Sequence, residues 1–320
     1  MREIGGYFEF EHYRGKMLHE DGIKLNCGRN CLAYLIEARG IKKILLPSFM
    51  CDSVFETCKK YGAKIRFYQI GWNLKPQHFE LEDDEWLYIT SYYGQLSDHE
   101  LNYYAATYRR VIFDFSQDYF HEPVNNADSL YTCRKYFGVP GGAFLYTEAQ
   151  WNGLTIEQDE SFLNMDFVLG RFERSATEFY QASKVNNKRF RDEPIKWMSK
   201  LTENILRSIN YADIERQRTE NFCYLDEKLR QHNRLSLNLT KGPYAYPFMV
   251  KNAEKLRGYL INHSIFVPVL WPNLLENKET IDYHLANEIL PIPCDQRYSI
   301  DEMNYIVNLI EKFYQDERGA

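Results

Sequence analysis

The sequence predicts an α/β protein: a large domain with a mostly parallel central sheet, followed by a smaller C-terminal α+β domain. Two observations predict it. Short, nearly all-apolar runs (Ile44-Leu45-Leu46, Trp86-Leu87-Tyr88-Ile89, Val111-Ile112-Phe113) alternate with segments of helical periodicity in the N-terminal half. Strands apolar on both faces belong to a parallel sheet covered by helices on both sides. The pattern then turns helical and polar over residues 157–229 and returns to mixed strand and helix toward the C-terminus. A chain of 320 residues is long enough for two such units. The expected division is 1–205 and 206–320, with residues 1–25 as an arm that packs on the small domain.

Taken in order, residues 30–39 read as a helix with Leu32, Leu35 and Ile36 on one face and Gly40 as its stop. Residues 43–47 read as a buried strand, 53–60 as a helix ending at Gly62, and 64–70 as a strand. Further strands are expected at 85–90, 110–114 and 142–147. Helices are expected at 199–206 and 214–229, with Asn186-Asn187-Lys188-Arg189 ahead of them as an exposed loop. Residues 243–250 then read as a strand, 253–262 as a helix and 264–270 as a strand. Ser299-Ile300-Asp301-Glu302 has the form of a helix start, leading into a helix with Ile306, Ile310 and Phe313 on one face.

The bulk composition excludes several functions. At 44% hydrophobic and 26% charged the chain has a soluble globular profile, and a net charge of −6 opposes broad nucleic-acid binding. The seven cysteines are scattered, and neither Cys27/Cys31 nor Cys51/Cys58 is completed into a zinc site. They read as reduced thiols, and no metal is expected. No run is long and apolar enough to span a bilayer, and the N-terminus carries no apolar signal core, so a cytoplasmic protein is expected. The 16% aromatic content suits a buried interface or a flat cofactor.

The chemistry concentrates between Val111 and Gly142. The run Val111-Ile112-Phe113 ends in Asp114, Gln117 follows, and Lys135 stands shortly before Pro140-Gly141-Gly142. A carboxylate at a strand end and a lysine in a glycine-rich loop are the groups that pyridoxal phosphate requires. The lysine amine attaches to the aldehyde and shuttles the substrate proton, while the carboxylate keeps the pyridine nitrogen protonated. Gln117 is placed to bond the ring hydroxyl or to orient Asp114. For the phosphate, Asn26-Cys27-Gly28-Arg29-Asn30 precedes a helix. The helix start collects an anion, Gly28 allows close approach, and Arg29, Asn30 and Thr132 add donors. Each feature alone has an ordinary explanation: Asp114 as a helix cap, Lys135 as a solvated cation, Gly28 and Gly141-Gly142 as turns. Their order on one α/β frame favours the cofactor reading.

With these segments in view, the chain resembles the DegT/DnrJ/StrS aminotransferases, sugar-modifying enzymes of fold type I. Gly5-Gly6-Tyr7-Phe8-Glu9 resembles the opening arm of that family, and Cys27-Gly28-Arg29-Asn30-Cys31-Leu32 its phosphate segment. Pro47-Ser48-Phe49-Met50-Cys51, Ser91-Tyr92-Tyr93-Gly94-Gln95 and Asp114-Phe115-Ser116-Gln117 resemble further motifs, and Lys135 falls at the cofactor lysine. Three departures stand out. Cys51 replaces an aromatic that would stack on the cofactor, Leu130 stands where the family has a serine, and no Asn-Tyr-Arg-Met segment reaches from a partner subunit. The resemblance implies a homodimeric transaminase that moves an amino group, with glutamate as donor, to a nucleotide-linked keto-sugar for surface polysaccharide synthesis. Two alternatives stand beside it: a protein that binds the cofactor without transaminating, and a different cofactor-dependent reaction on an amino acid.

Overall fold

The computed structural model describes residues 4–151 and 155–319. Its first part runs β1 (Ile23–Leu25), α1 (Gly28–Arg39), β2 (Lys43–Pro47), α2 (Asp52–Lys60), β3 (Lys64–Tyr68), β4 (Trp86–Thr90), α3 (Asp98–Thr107), β5 (Val111–Asp114), β6 (Asp128–Thr132) and β7 (Ala143–Tyr146). The chain continues through β8 (Glu157–Gln158), α4 (Asp166–Glu173), α5 (Tyr180–Asp192), β9 (Lys196–Trp197), α6 (Lys200–Leu206) and α7 (Tyr211–Leu229). It finishes with β10 (Tyr246–Met249), α8 (Ala253–Asn262), α9 (Ile281–Glu288), β11 (Ile289–Ile292) and α10 (Ile300–Gly319).

Among the described residues nine strands form one sheet in the order β3-β2-β4-β5-β6-β7-β1-β9-β8. The stretch from β3 to β6 is parallel, whereas β7 runs against both β6 and β1. Side chains alternate across the strands. Leu45, Leu87, Ile89 and Phe113 enter one core, and Ile44, Leu46, Tyr88 and Ile112 enter another that α1 closes with Leu32, Leu35 and Ile36. Both faces are therefore buried, as the all-apolar runs require. The antiparallel pair β10–β11 shares a separate core with Phe222 and Leu225 of α7, Leu256 of α8, and Ile306, Ile310 and Phe313 of α10.

Several expectations change. The segment 186–189 is not an exposed loop but lies inside α5. Asn186 is buried with its amide on the Pro140 carbonyl (2.8 Å), and Arg189 pairs with Asp159 and Glu193 (3.1 Å each). Those polar side chains are turned toward partners rather than water. Residues 264–270 form no strand. Ile265 and Val267 are buried and Phe266 is exposed, so the alternation is present, but no ladder partner accepts it. The strand at 142–147 closes the series in the antiparallel sense.

Elements the sequence reading passed over have identifiable causes. In β6, Asp128 breaks the apolar pattern and is neutralised by Arg39, whose Nη2 and Nε donate to its two oxygens at 2.7 and 3.1 Å. β1 is three residues long with a lysine at its centre. The polar helix α3 was announced by Ser97-Asp98-His99-Glu100, which forms a full capping box.

Candidate active site

The C-terminal ends of the parallel strands carry the candidate residues, where ligands gather in such sheets. Asp114 ends β5 and is buried. Its Oδ2 accepts the Tyr88 hydroxyl from β4 at 3.0 Å and its Oδ1 accepts the Ser116 backbone N–H at 2.8 Å. Two donors on one carboxylate hold it in one orientation. Tyr88 stays protonated, because burial and then the Asp114 charge push its pKa well up.

Lys135 lies in the loop between β6 and β7. Its Nζ donates to the Ser116 Oγ at 2.9 Å and sits 5.7 Å from the centroid of the Tyr244 ring. Ser116 thus touches both: its amide binds Asp114 and its hydroxyl binds Lys135. Desolvation lowers the Lys135 pKa, and the Asp114 charge partly opposes it. The residue nevertheless keeps solvent access, so the amine is enclosed but reachable.

Gln117 is buried and its Oε1 accepts the Tyr93 N–H at 3.0 Å. That bond pins a left-handed residue, since Tyr93 has φ 51° and Gly94 has φ 70°. A bulky residue in that region is strained and persists only where its surroundings hold it. The acceptor of Gln117 is thus spent, while its amide nitrogen makes no hydrogen bond among the described residues.

At the other end, α1 begins at Gly28. Cys27 is its N-cap and supplies no side-chain hydrogen bond. The Asn30 N–H bonds the Cys27 carbonyl at 3.1 Å, and no side chain caps the N–H groups of Gly28 and Arg29. A Cβ on Gly28 would lie 2.5 Å from the Thr132 Cγ2, so the glycine is what lets Thr132 approach. The Thr132 Oγ1 is buried without a hydrogen-bond partner. Arg29 donates to the Asn187 carbonyl at 3.4 Å. Asn30 is otherwise engaged: its amide donates to the Asn26 Oδ1 (2.7 Å) and the Pro194 carbonyl (2.9 Å), so it braces the loop rather than offering a free donor.

Cys51 caps α2 and accepts the Ser53 hydroxyl at 3.1 Å. Burial raises its pKa and keeps it a thiol. Ser116, Tyr88 and Tyr244 were missed from sequence. Ser116 stood inside the Asp114–Gln117 motif. Tyr244 comes from the segment before β10, and only tertiary folding brings it near. A recess of about 440 Å³ lined by Arg29, Glu56, Lys60 and Arg191 opens beside this end but does not contain Lys135. The hydrogen bonds and the unpaired groups, not that recess, mark the site.

Helicobacter pylori PseC, an aminotransferase involved in the biosynthesis of pseudoaminic acid, matches with a TM-score of 0.64 at 11% identity, covering 92% of this chain and 86% of that one. The chain has the fold of this aminotransferase. A DegT DnrJ EryC1 StrS aminotransferase from Brucella abortus shares this aminotransferase fold (TM-score 0.60, 13% identity, 91% and 85% covered). So does E. coli GDP-4-keto-6-deoxy-D-mannose-3-dehydratase with bound hydrated pyridoxal phosphate (TM-score 0.60, 13% identity, 90% and 87% covered). No family model matches the sequence, and no curated protein matches it. The likeness is one of fold, and fold alone does not carry an activity. No helix among the described residues is long and apolar enough to cross a membrane.

Proposed function

We propose that the chain is a pyridoxal-phosphate-dependent aminotransferase acting on a nucleotide-linked keto-sugar, with an amino acid such as glutamate as donor. The observation that carries this is the pair Asp114 and Lys135 joined through Ser116, an enclosed but accessible amine beside an anchored carboxylate. The residues present fit the cofactor. Lys135 would hold its aldehyde carbon, Asp114 its ring nitrogen, and Gln117 its ring hydroxyl through the free amide nitrogen. Gly28, Arg29 and the unpartnered Thr132 hydroxyl would receive its phosphate.

When bound, pyridoxal phosphate supplies the electron sink that lets a substrate amine lose its Cα proton. The chain's residues do the rest. The depressed pKa of Lys135 keeps more of its amine neutral at a given pH, so that it can accept and return that proton. Tyr88 fixes the Asp114 carboxylate, and the bond from Ser116 holds the amine near it. A homodimer is part of the reading, and the neighbours of like fold that are sugar aminotransferases support the substrate class.

The test is direct. Protein loaded with pyridoxal phosphate and reduced with borohydride is expected to carry the cofactor on Lys135 in peptide mapping, and Lys135→Ala none. Retention of the same adduct by Lys135→Ala sinks the assignment. Glutamate should then convert the loaded protein to the pyridoxamine form. A spectrum that does not respond to any amino acid would identify a cofactor-binding protein without transaminase activity.

A further inference from the structure

Two arginines near the start of α1 lack an acid. Arg134 precedes Lys135, donates to the Asn187 side-chain oxygen, and stacks 4.7 Å from the centroid of Phe190. Arg29 reaches the Asn187 backbone carbonyl. Asn187 thus bridges the two guanidiniums. Among the described residues neither arginine has a carboxylate partner, whereas their neighbours do: Arg189 pairs with Asp159 and Glu193, and Arg191 with Glu56. Burial pushes the Arg134 pKa down to about 10, with the charges of Arg29 and Arg189 acting in the same direction. A desolvated cation among like charges is costly, and an anion placed between them reverses the sign of that cost.

The surroundings ask for the same anion. The Gly28 and Arg29 N–H groups at the start of α1 have no side-chain cap, and the positive end of the helix dipole points out there. Thr132, two residues before Arg134, packs its methyl against Gly28, and its hydroxyl is buried without a partner. We propose that Arg134, together with Arg29, clamps the cofactor phosphate from within one chain and makes the site selective for a phosphorylated ring. This rests on the pyridoxal phosphate reading above. Arg134 presents its planar fork to a phosphate oxygen pair, and Asn187 and Phe190 hold that fork in place.

Titration of the intact protein with pyridoxal phosphate and with unphosphorylated pyridoxal, followed by the absorbance of the lysine-bound compound, separates the possibilities. The wild type is expected to prefer pyridoxal phosphate. Arg134→Met should lose about 10–100-fold of that preference, the scale of a charged hydrogen bond, with pyridoxal affinity unchanged. Arg134→Lys should restore part of it. An unaltered preference in Arg134→Met overturns the clamp. If that variant does not fold, Arg29→Met and Arg134→Lys decide, each expected to lose preference and each overturning the proposal if it keeps all of it. Failure of the wild type to attach either compound rejects the cofactor reading instead. Inorganic phosphate then tests the anion site alone: a rise in Tm of the wild type that Arg134→Met (or Arg29→Met) lacks upholds it, and no rise removes it.

Discussion

At Lys135 two effects compete. Desolvation lowers the amine pKa and the Asp114 charge raises it, with desolvation the larger. Attachment of pyridoxal phosphate should therefore rise with pH and reach its midpoint below the ordinary lysine value of about 10.4. Asp114→Asn removes the opposing charge, so the midpoint should move to still lower pH. A midpoint moving upward in stopped-flow absorbance would contradict the electrostatic account. A second titration belongs to His19, which is buried against Tyr131 (ring centroids 3.9 Å) with its Nε2 2.7 Å from the Tyr119 carbonyl oxygen. Burial lowers its pKa from 6.5 to about 4. The unfolded chain binds a proton there that the folded chain excludes, so this contribution is complete above pH 6.5 and is lost as the pH falls toward 4. The loss is roughly 3 kcal/mol from the pKa difference. His19→Gln should cost stability near neutrality, and its deficit against the wild type should shrink across that window in urea unfolding.

Among the elements, α1 is the one whose sequence requirement is sharpest. Gly28→Ala drives a Cβ into Thr132 and should cost about 1–3 kcal/mol, the range for overpacking. Thr132→Ser removes the methyl that is struck, so the double variant should recover most of the loss. Additive losses in the double-mutant cycle would place the strain elsewhere. Ser299→Ala should cost about 1 kcal/mol at the start of α10, because Ser299 and Glu302 cap that helix reciprocally. Legibility followed the same physics. Strands apolar on both faces, such as β2, β4 and β5, could be read directly, as could the strand-end position of Asp114. Helix α5 could not, because its buried polar residues are satisfied by partners that lie far away in sequence. The bond between Lys135 and Ser116 and the ring of Tyr244 were equally invisible. They depend on how β5, the loop after β6 and the segment before β10 meet.

For the whole molecule, several large apolar side chains remain uncovered. Phe162, Leu163 and Phe172 are 63%, 79% and 89% exposed, and the arm residues Tyr7 and Phe8 are almost fully so. The proposed homodimer would cover apolar groups of this kind. Sedimentation of the loaded protein should give a dimer, and Phe172→Glu should shift it toward monomer. A wild-type monomer at every concentration would remove the dimer from the proposal.

The antiparallel turn of β7 has one more effect. Because β6 and β7 pair from Ser129–Tyr146 to Thr132–Ala143, the loop with Arg134 and Lys135 is the tip of a hairpin. Its base is stapled by the bond from the Cys133 N–H to the Gly142 carbonyl (3.0 Å), while the Gly142 N–H binds Asn26 (2.6 Å). A segment tied at both ends has little freedom to relax when its ligand departs. Hydrogen exchange at the Cys133 and Gly142 amides should then proceed only through global opening, at one rate with and without cofactor once the difference in overall stability is subtracted. The reactive loop would be a fixed part of the frame and not a lid.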